Sequence, residues 1–409
     1  MKKTVLREYA KLIAKTGVNV QKGQEVFIQA ELDQPEFVAM VVDECYKLKA
    51  KKVVVDWSYQ PLTKLHVRYR SVKTLSTLDN YEEARWQHYV DTIPCRIYLI
   101  SEDPDGLRGV NQEKMAKSQQ AKYPIIKGYR DQIENKYQWC IAAVPGEKWA
   151  KKLFPELRAS QAVEKLWDAI LKTSRVTDDP IQAWEDHNRD LHDRCEYLNN
   201  LHIRELRYKS SNGTDFTVGM IPEAQFCGGG ETSLQGIFFN PNIPTEEVFT
   251  SPDRNRADGV VYSAMPLVHS GQVIDKFWMR FEGGRVVEFD AEQGRECLRS
   301  IIEADENSAR LGEVALVSKN TPIRQSKTLF FDTLYDENAS CHLALGMGFP
   351  ECVEGGLDVD KDGLLAMGVN QSSTHVDFMI GSDDLNIWGV DADGAETPVF
   401  VGGQWAWEE

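Results

Sequence analysis

The chain has 409 residues, of which 42% are hydrophobic and 27% charged, and its formal net charge is −16 at pH 7. This length predicts two domains, because it exceeds what one ordinary core supports. The surplus of acidic side chains argues against nucleic acid or an anionic membrane as the main partner, and no apolar run reaches the roughly 18–20 residues of a membrane span.

The first half of the chain alternates helical and strand patterns. Helical spacing covers residues 5–16 and 35–48, and short apolar strands are predicted at 25–30, 52–57, 97–100 and 139–143. Continuously apolar strands separated by helices are typical of a mainly parallel sheet with helices on both faces. No GxGxxG or GxxxxGK[ST] loop follows any of these strands, so the sequence predicts no nucleotide site here.

The pattern changes near residue 200. Residues 163–198 are helical and rich in charge, whereas the later residues form short alternating segments separated by turns. This change predicts an α/β N-terminal domain over 1–195 and a β-rich α+β domain over 196–409. Within the second domain helices are expected at 292–304 and at 336–345, which would place His342 on a helix. His187 and His192, five residues apart, do not share a helix face and are interpreted as solvated.

A histidine and a carboxylate stand two residues apart in the apolar, β-prone segment 374–381. Residues i and i+2 of a strand point to the same face, so His375 and Asp377 are expected to project side by side. Two metal ligands can be presented together in this way. The pair alone is a weak signal, because a histidine and an aspartate on the wet face of a half-buried strand have the same pattern.

Three more places in the second half put acids or a histidine in apolar surroundings. Glu246 and Glu247 enter an apolar run between prolines, Glu313 lies in the apolar run 311–317, and His342 lies in another. Each alone has an ordinary structural explanation, but a shared cation would compensate all of these costly buried charges. Three carboxylates, Glu247, Glu313 and Asp377, with two divalent ions leave about one positive charge for a hydroxide to balance, which favours a dinuclear hydrolase site.

At these positions the chain resembles the metallo-aminopeptidases of the aminopeptidase T, aminopeptidase S (AmpS) and PepS type. The resemblance runs nearly the full length and includes four motifs in order: PTEEVFTSPD (244–253), LGEVALV (311–317), TLYDENASCHLALG (333–346) and HVDFMIGS (375–382). It implies a cytoplasmic homodimer that removes amino acids from peptides with a free N-terminus. It also implies two divalent metal ions per subunit, of zinc, cobalt, manganese or magnesium, held by Glu247, Glu313, His342, His375 and Asp377.

Two acids are assigned to catalysis on this basis. Glu246 is a candidate general base or anchor for the substrate amine, with an outward-facing loop acid as the alternative, and Glu313 is expected to bridge the two ions. The family usually has a tyrosine seven residues after His342, where this chain has Phe349. Because phenylalanine has no hydroxyl, a catalytically weak or inactive relative that binds peptide or metal is the alternative function. Tyr335 is a candidate substitute hydroxyl, and ordinary packing is its alternative role.

Overall fold

The computed structural model describes residues 1–408. Its strands in chain order are β1 (Glu25–Glu31), β2 (Lys52–Ser58), β3 (Cys95–Ile100), β4 (Trp139–Ala143), β5 (Glu205–Lys209), β6 (Asp215–Met220), β7 (Cys227–Gly228), β8 (Glu231–Thr232), β9 (Phe238–Phe239), β10 (Asn242–Ile243), β11 (Val248–Thr250), β12 (Pro252–Tyr262), β13 (Leu267–His269), β14 (Gln272–Glu282), β15 (Arg285–Gln293), β16 (Leu311–Leu316), β17 (His342–Gly346), β18 (His375–Met379), β19 (Asn386–Val390), β20 (Glu396–Val401) and β21 (Gln404–Trp405).

The α-helices are α1 (Lys3–Leu12), α2 (Pro35–Lys47), α3 (Gln60–Tyr69), α4 (Val72–Ser76), α5 (Asn80–Thr92), α6 (Gln112–Ile133), α7 (Glu147–Leu153), α8 (Ala159–Thr173), α9 (Pro180–Asn200), α10 (Arg295–Ile302), α11 (Pro322–Gln325), α12 (Thr333–Asp336) and α13 (Lys361–Met367). A π-helical turn, Ile13–Gly17, follows α1, and 3-10 turns cover Glu337–Ala339, Pro350–Cys352 and Gly356–Asp358. No helix among residues 1–408 is both long and apolar enough to cross a membrane.

The chain divides into two compact units, and the first comprises residues 1–185 and 230–244. Its main sheet has the order β10-β4-β3-β1-β2, and every neighbouring pair is parallel. The four predicted strands of this half are confirmed, as β1 to β4. Strand β1 is mostly buried, β3 and β4 are buried or half-buried, and the Val run of the edge strand β2 is half-buried. The predicted α/β character of this half is therefore confirmed.

The second unit comprises residues 186–229 and 245–409. One of its sheets has the order β13-β14-β12-β6-β5-β19-β20-β21, with β15 beside β14, and the other has the order β18-β17-β16-β11-β7; all their pairs are antiparallel. The predicted β-rich α+β character is confirmed. The predicted boundary after residue 195 falls inside α9, which continues to Asn200.

The helix predicted over 336–345 is wrong. Helix α12 ends at Asp336, a 3-10 turn follows, and His342 begins strand β17, which pairs with β16 on one side and β18 on the other. A short apolar run is compatible with either a buried helix or a buried strand, and periodicity does not distinguish them. The segment forms a strand here because pairing with β16 and β18 satisfies the hydrogen-bonding groups of its main chain.

Candidate metal centre

Strand β18 carries His375 and Asp377 on the same face, as predicted. The Nε2 atom of His375 lies 3.1 Å from Asp377 Oδ1 and 3.1 Å from Glu313 Oε2. Its Nδ1 atom lies 2.8 Å from the carbonyl oxygen of Met347, to which it donates. A main-chain acceptor on Nδ1 fixes the ring orientation and directs Nε2 towards the acids, which is the usual arrangement of a ligating histidine.

The register of the five-stranded sheet brings Glu313 to the same face. Glu313 on β16 is opposite Ala344 on β17, and Ala344 is opposite Asp377 on β18, so the three form one row across the sheet. Cross-strand partners share a face. The small side chain of Ala344 lies in this row between the two carboxylate residues. The neighbouring positions Val314 and Leu343 point to the opposite face and belong to the hydrophobic core.

His342 and Glu247 complete the cluster. His342 Nε2 lies 3.2 Å from Glu247 Oε2, and His342 Nδ1 lies 3.0 Å from the carbonyl oxygen of Ser340. Glu247 directly precedes β11, the neighbour of β16. Two groups of three potential ligands result, each with its ligand atoms within 4.8 Å of one another: Glu247, Glu313 and His342, and Glu313, His375 and Asp377. Glu313 belongs to both.

The protonation of the cluster reflects burial and close opposite charges. Burial, with the charges of Asp377 and Glu247, raises the pKa of Glu313 to about 7. Burial opposes a charge on Asp377, but the charge of His375 and its hydrogen bond lower the Asp377 pKa to about 2. Burial likewise opposes protonation of His342, but Glu247 raises its pKa to about 9. When protons alone balance the carboxylates, the imidazoles of the cluster are therefore protonated and carry positive charge.

The donor set fits divalent cations. Glu247, Glu313 and Asp377 are all buried, and within residues 1–408 no lysine or arginine forms a salt bridge with any of them. Buried carboxylates require a compensating positive charge. A cation that replaces the imidazole protons supplies it, and mixed oxygen and nitrogen donors suit zinc, cobalt, manganese or magnesium.

Glu337 is an additional acid that the sequence interpretation missed. It lies in the 3-10 turn five residues before His342 and is half-buried. Burial and the charges of Asp377 and Glu247 raise its pKa well above the usual value, which places its carboxyl in the field of the cluster. Glu337 could have been noticed as an acid in the same sequence motif as His342. The helix wrongly predicted over 336–345 gave no reason to place it near the other acids.

Glu246 lies inside the protein, so its interpretation as an outward-facing loop acid is wrong. Its side chain is 4% exposed, and Oε2 lies 3.9 Å from His187 Nε2. The same His187 nitrogen lies 2.8 Å from the carbonyl oxygen of Thr245, and the main-chain N–H of Glu246 donates to Asn338 Oδ1 at 2.6 Å. The two hydrogen bonds fix the peptide group between Thr245 and Glu246. Its role in catalysis stays a prediction.

The interpretation of His187 as solvated is also wrong, whereas His192 is exposed as predicted. His187 lies four residues before Leu191 and eleven before Leu198, so it continues their buried stripe along α9. The helical period of 3.6 puts these positions on one face. The spacing to the neighbouring apolar residues, rather than the spacing between the two histidines, was the informative signal.

The two aromatic residues singled out in the sequence occupy different settings. Phe349 lies beside the cluster, with its ring centroid 5.1 Å from that of His375. The ring of Tyr335 is fully buried and stacks on Phe330 at 4.5 Å, which accounts for it as a packing residue.

Comparison with known proteins identifies the family to which this chain belongs. The family model described as thermophilic metalloprotease (M29) matches residues 2–405. Aminopeptidase AmpS of Bacillus subtilis is 39% identical over 403 residues, and aminopeptidase 2 of Geobacillus stearothermophilus is 39% identical over 405, each alignment covering 98% of both chains. The structure of wild-type AmpT from Thermus thermophilus superposes with a TM-score of 0.91 at 35% identity, covering 99% of each chain. The chain therefore belongs to the M29 family of metalloproteases.

Proposed function

We propose that this metallo-aminopeptidase releases the N-terminal amino acid from peptides at a site that holds two divalent cations. The proposal is carried by one observation, the sharing of Glu313 between two groups of three ligand atoms. A carboxylate has two oxygens, so Glu313 would contribute a ligand to both ions. Glu247 and His342 would hold one ion, and His375 and Asp377 the other.

The protein supplies the fixed geometry of the reaction. When bound, divalent cations activate water and polarise the scissile carbonyl as Lewis acids. The main-chain carbonyls of Met347 and Ser340 accept the Nδ1 protons of His375 and His342 and keep both rings in place. Three antiparallel strands fix the relative positions of Glu313, His342 and the β18 pair. Ligands on strands are held more precisely than ligands on loops.

The preference for a free N-terminus is assigned to Glu246. Glu246 is buried and directly precedes the proposed ligand Glu247, and its carboxylate would hold the α-ammonium group of a peptide. A buried acid gains from such a partner, whereas a blocked N-terminus brings no charge. The same carboxylate is the candidate general base that takes a proton from water. These two roles make different kinetic predictions: an anchor affects KM, and a base affects kcat.

Hydrolysis of a dipeptide panel tests the function. The expected result is release of the N-terminal amino acid, loss of activity with a chelator, recovery on adding zinc, cobalt, manganese or magnesium, and no cleavage of N-acetylated peptides. Cleavage that is insensitive to chelator would contradict the proposal.

The variant Glu313→Gln tests the site. It should lose bound metal and at least about 10²-fold in rate, because a shared ligand supports both ions. Glu354→Gln, an exposed acid of the same unit, is the matched control and should keep metal and rate. Near-wild-type activity with full metal content in Glu313→Gln would rule out this site.

The comparisons do not support the alternative of an inactive relative, and the homodimer and the cytoplasmic location stay predictions of the sequence.

A further inference from the structure

A cavity of about 670 Å³ lies in the first unit, away from the ligand cluster in sequence. One wall is α3, and the other is the segment that leads from β3 into α6. Four cationic side chains line it: Lys64 and Arg68 on α3, Arg108 on the segment, and Lys114 in the first turn of α6. We call these the cavity cations.

The cavity cations have no anionic partner among the residues that the structure describes. Within residues 1–408, none of the four makes a salt bridge or a side-chain hydrogen bond. The acids of the neighbouring segments pair with other lysines: Asp103 with Lys148 at 3.6 Å, Asp105 with Lys152 at 2.6 Å, and Glu113 with Lys117 at 2.6 Å. In a chain of net charge −16, four unpaired positive charges around one cavity favour an anionic ligand that relieves their mutual repulsion.

The cavity lies at a position of the α/β fold where ligands commonly bind. The strand order reverses at β1, because β2 lies on one side of it and β3 on the other. Ligands of open α/β sheets bind outside the carboxyl ends of the strands, where the order reverses. Both walls of the cavity are segments that follow such ends, α3 after β2 and the 101–111 segment after β3.

The two walls are joined directly. Gln60, the first residue of α3, donates from Nε2 to the Asp103 carbonyl oxygen and accepts at Oε1 from the Asp103 N–H, both at 3.1 Å. Gly106 permits this contact, since a Cβ there would lie 2.1 Å from Gln60 Oε1. The cavity is thus preformed, and a preformed site loses less entropy when it binds a ligand.

We infer that this cavity binds a small organic polyphosphate of the nucleoside di- or triphosphate class. Guanidinium groups bind phosphate oxygens in pairs and ammonium groups act as point charges, so two arginines and two lysines suit the phosphates of such a ligand, free or as its magnesium complex. Leu65 and Val110 provide apolar surface for an organic group. The volume lies within the roughly 300–1,000 Å³ of small-molecule sites. No sequence motif indicates this site because the phosphates would contact side chains rather than a glycine-rich loop.

Calorimetric titration of the metal-loaded protein with ATP tests the inference. Magnesium is kept in excess over ATP so that the nucleotide does not remove ions from the metal centre, and the metal content is measured afterwards. One ATP should bind per chain with a Kd of about 0.1 mM or tighter. Arg68→Glu/Lys114→Glu should weaken binding at least about tenfold, because two charge-assisted contacts are reversed. Lys64→Ala/Arg108→Ala should weaken it through the other pair.

The matched control is Arg130→Glu/Lys136→Glu, which changes the net charge equally at exposed positions near the end of α6. It should bind ATP as the unmodified protein does. Absence of saturable ATP binding, or equal weakening in the control, would overturn the inference. Inorganic tripolyphosphate that binds as tightly as ATP would overturn the organic part of the assignment, and weaker binding of tripolyphosphate supports it.

Discussion

The ring of Phe349 lies against the imidazole of His375, with ring centroids 5.1 Å apart and planes inclined at 48°. On another side it contacts Phe249 edge to face, with centroids 5.3 Å apart. The main chain at Phe349 is fixed by buried Ser251, whose hydroxyl accepts from the Phe349 N–H at 2.7 Å. Phe349, where the family resemblance predicts a tyrosine, is therefore held beside the candidate metal centre.

Phe349→Tyr is expected to raise kcat. A hydroxyl on a ring beside His375 can donate a hydrogen bond to negative charge that develops in the transition state, and one such bond is typically worth about 10²-fold in rate. We expect at least a tenfold increase in kcat on an aminoacyl chromogenic substrate, with bound metal unchanged.

Phe349→Leu separates the hydroxyl from packing. It keeps an apolar side chain of similar size and offers no hydroxyl, so kcat should stay within about threefold of the original. An equal increase in kcat for both variants would assign the effect to relaxed packing and contradict a role for the hydroxyl.

His187→Leu is expected to impair substrate binding through Glu246. His187 Nε2 donates to the Thr245 carbonyl at 2.8 Å and lies 3.9 Å from the Glu246 carboxylate, so its loss removes a contact that fixes the peptide group of Glu246. If Glu246 anchors the substrate amine, KM should rise about tenfold with little change in kcat. If Glu246 is the general base, kcat should fall instead. Steady-state kinetics over a series of dipeptides distinguishes the two.

Two further variants control this experiment. His187→Gln keeps a side-chain donor and should recover part of the loss, which a purely structural role would not predict. His192→Leu makes the same substitution at an exposed position of the same helix and should leave KM and kcat unchanged. Equal effects of His187→Leu and His192→Leu would remove His187 from the substrate site.

Much of the first unit could be predicted because its first four strands are short apolar runs separated by helical patterns. Residues 139–143 were predicted as a strand, and β4 has these bounds. The fifth strand, β10, was missed, since it has only two residues and exists through pairing with Ile141 and Ala142 of β4. Two residues carry no periodicity, so only the tertiary contact defines such a strand.

The site was predictable as a set of residues but not as an arrangement. The i, i+2 spacing of His375 and Asp377 predicts that they share a face of the strand. The position of Glu313 depends on a bulged register between β16 and β17, where Leu311 pairs with Leu345 but Glu313 pairs with Ala344. An irregularity of one residue changes which side chains share a face, and the sequence alone does not encode it in any periodic signal.

Asp305 connects the metal-site sheet to its surroundings, and Asp305→Asn should lower stability above about pH 4. Its Oδ2 accepts from the Ser372 hydroxyl at 2.8 Å and from the Ser373 N–H at 2.7 Å, just before β18. Burial opposes the charge, but these hydrogen bonds lower the pKa of Asp305 from 3.8 to about 2. The folded state therefore binds protons less readily than the unfolded state, and this stabilisation is complete above pH 4 and lost as the pH falls towards 2.

Thermal unfolding of metal-free protein between pH 3 and 8 measures this effect. After allowance for solvent screening, the contribution is about 1 kcal/mol, or roughly 2–4 °C in Tm at pH 7. The Tm difference between Asp305→Asn and the unmodified protein should narrow as the pH approaches 3. Glu306→Gln removes an exposed charge from the same loop and should leave Tm unchanged at every pH. A Tm difference for Asp305→Asn that stays constant with pH would show that the hydrogen bonds stabilise the loop without the charge.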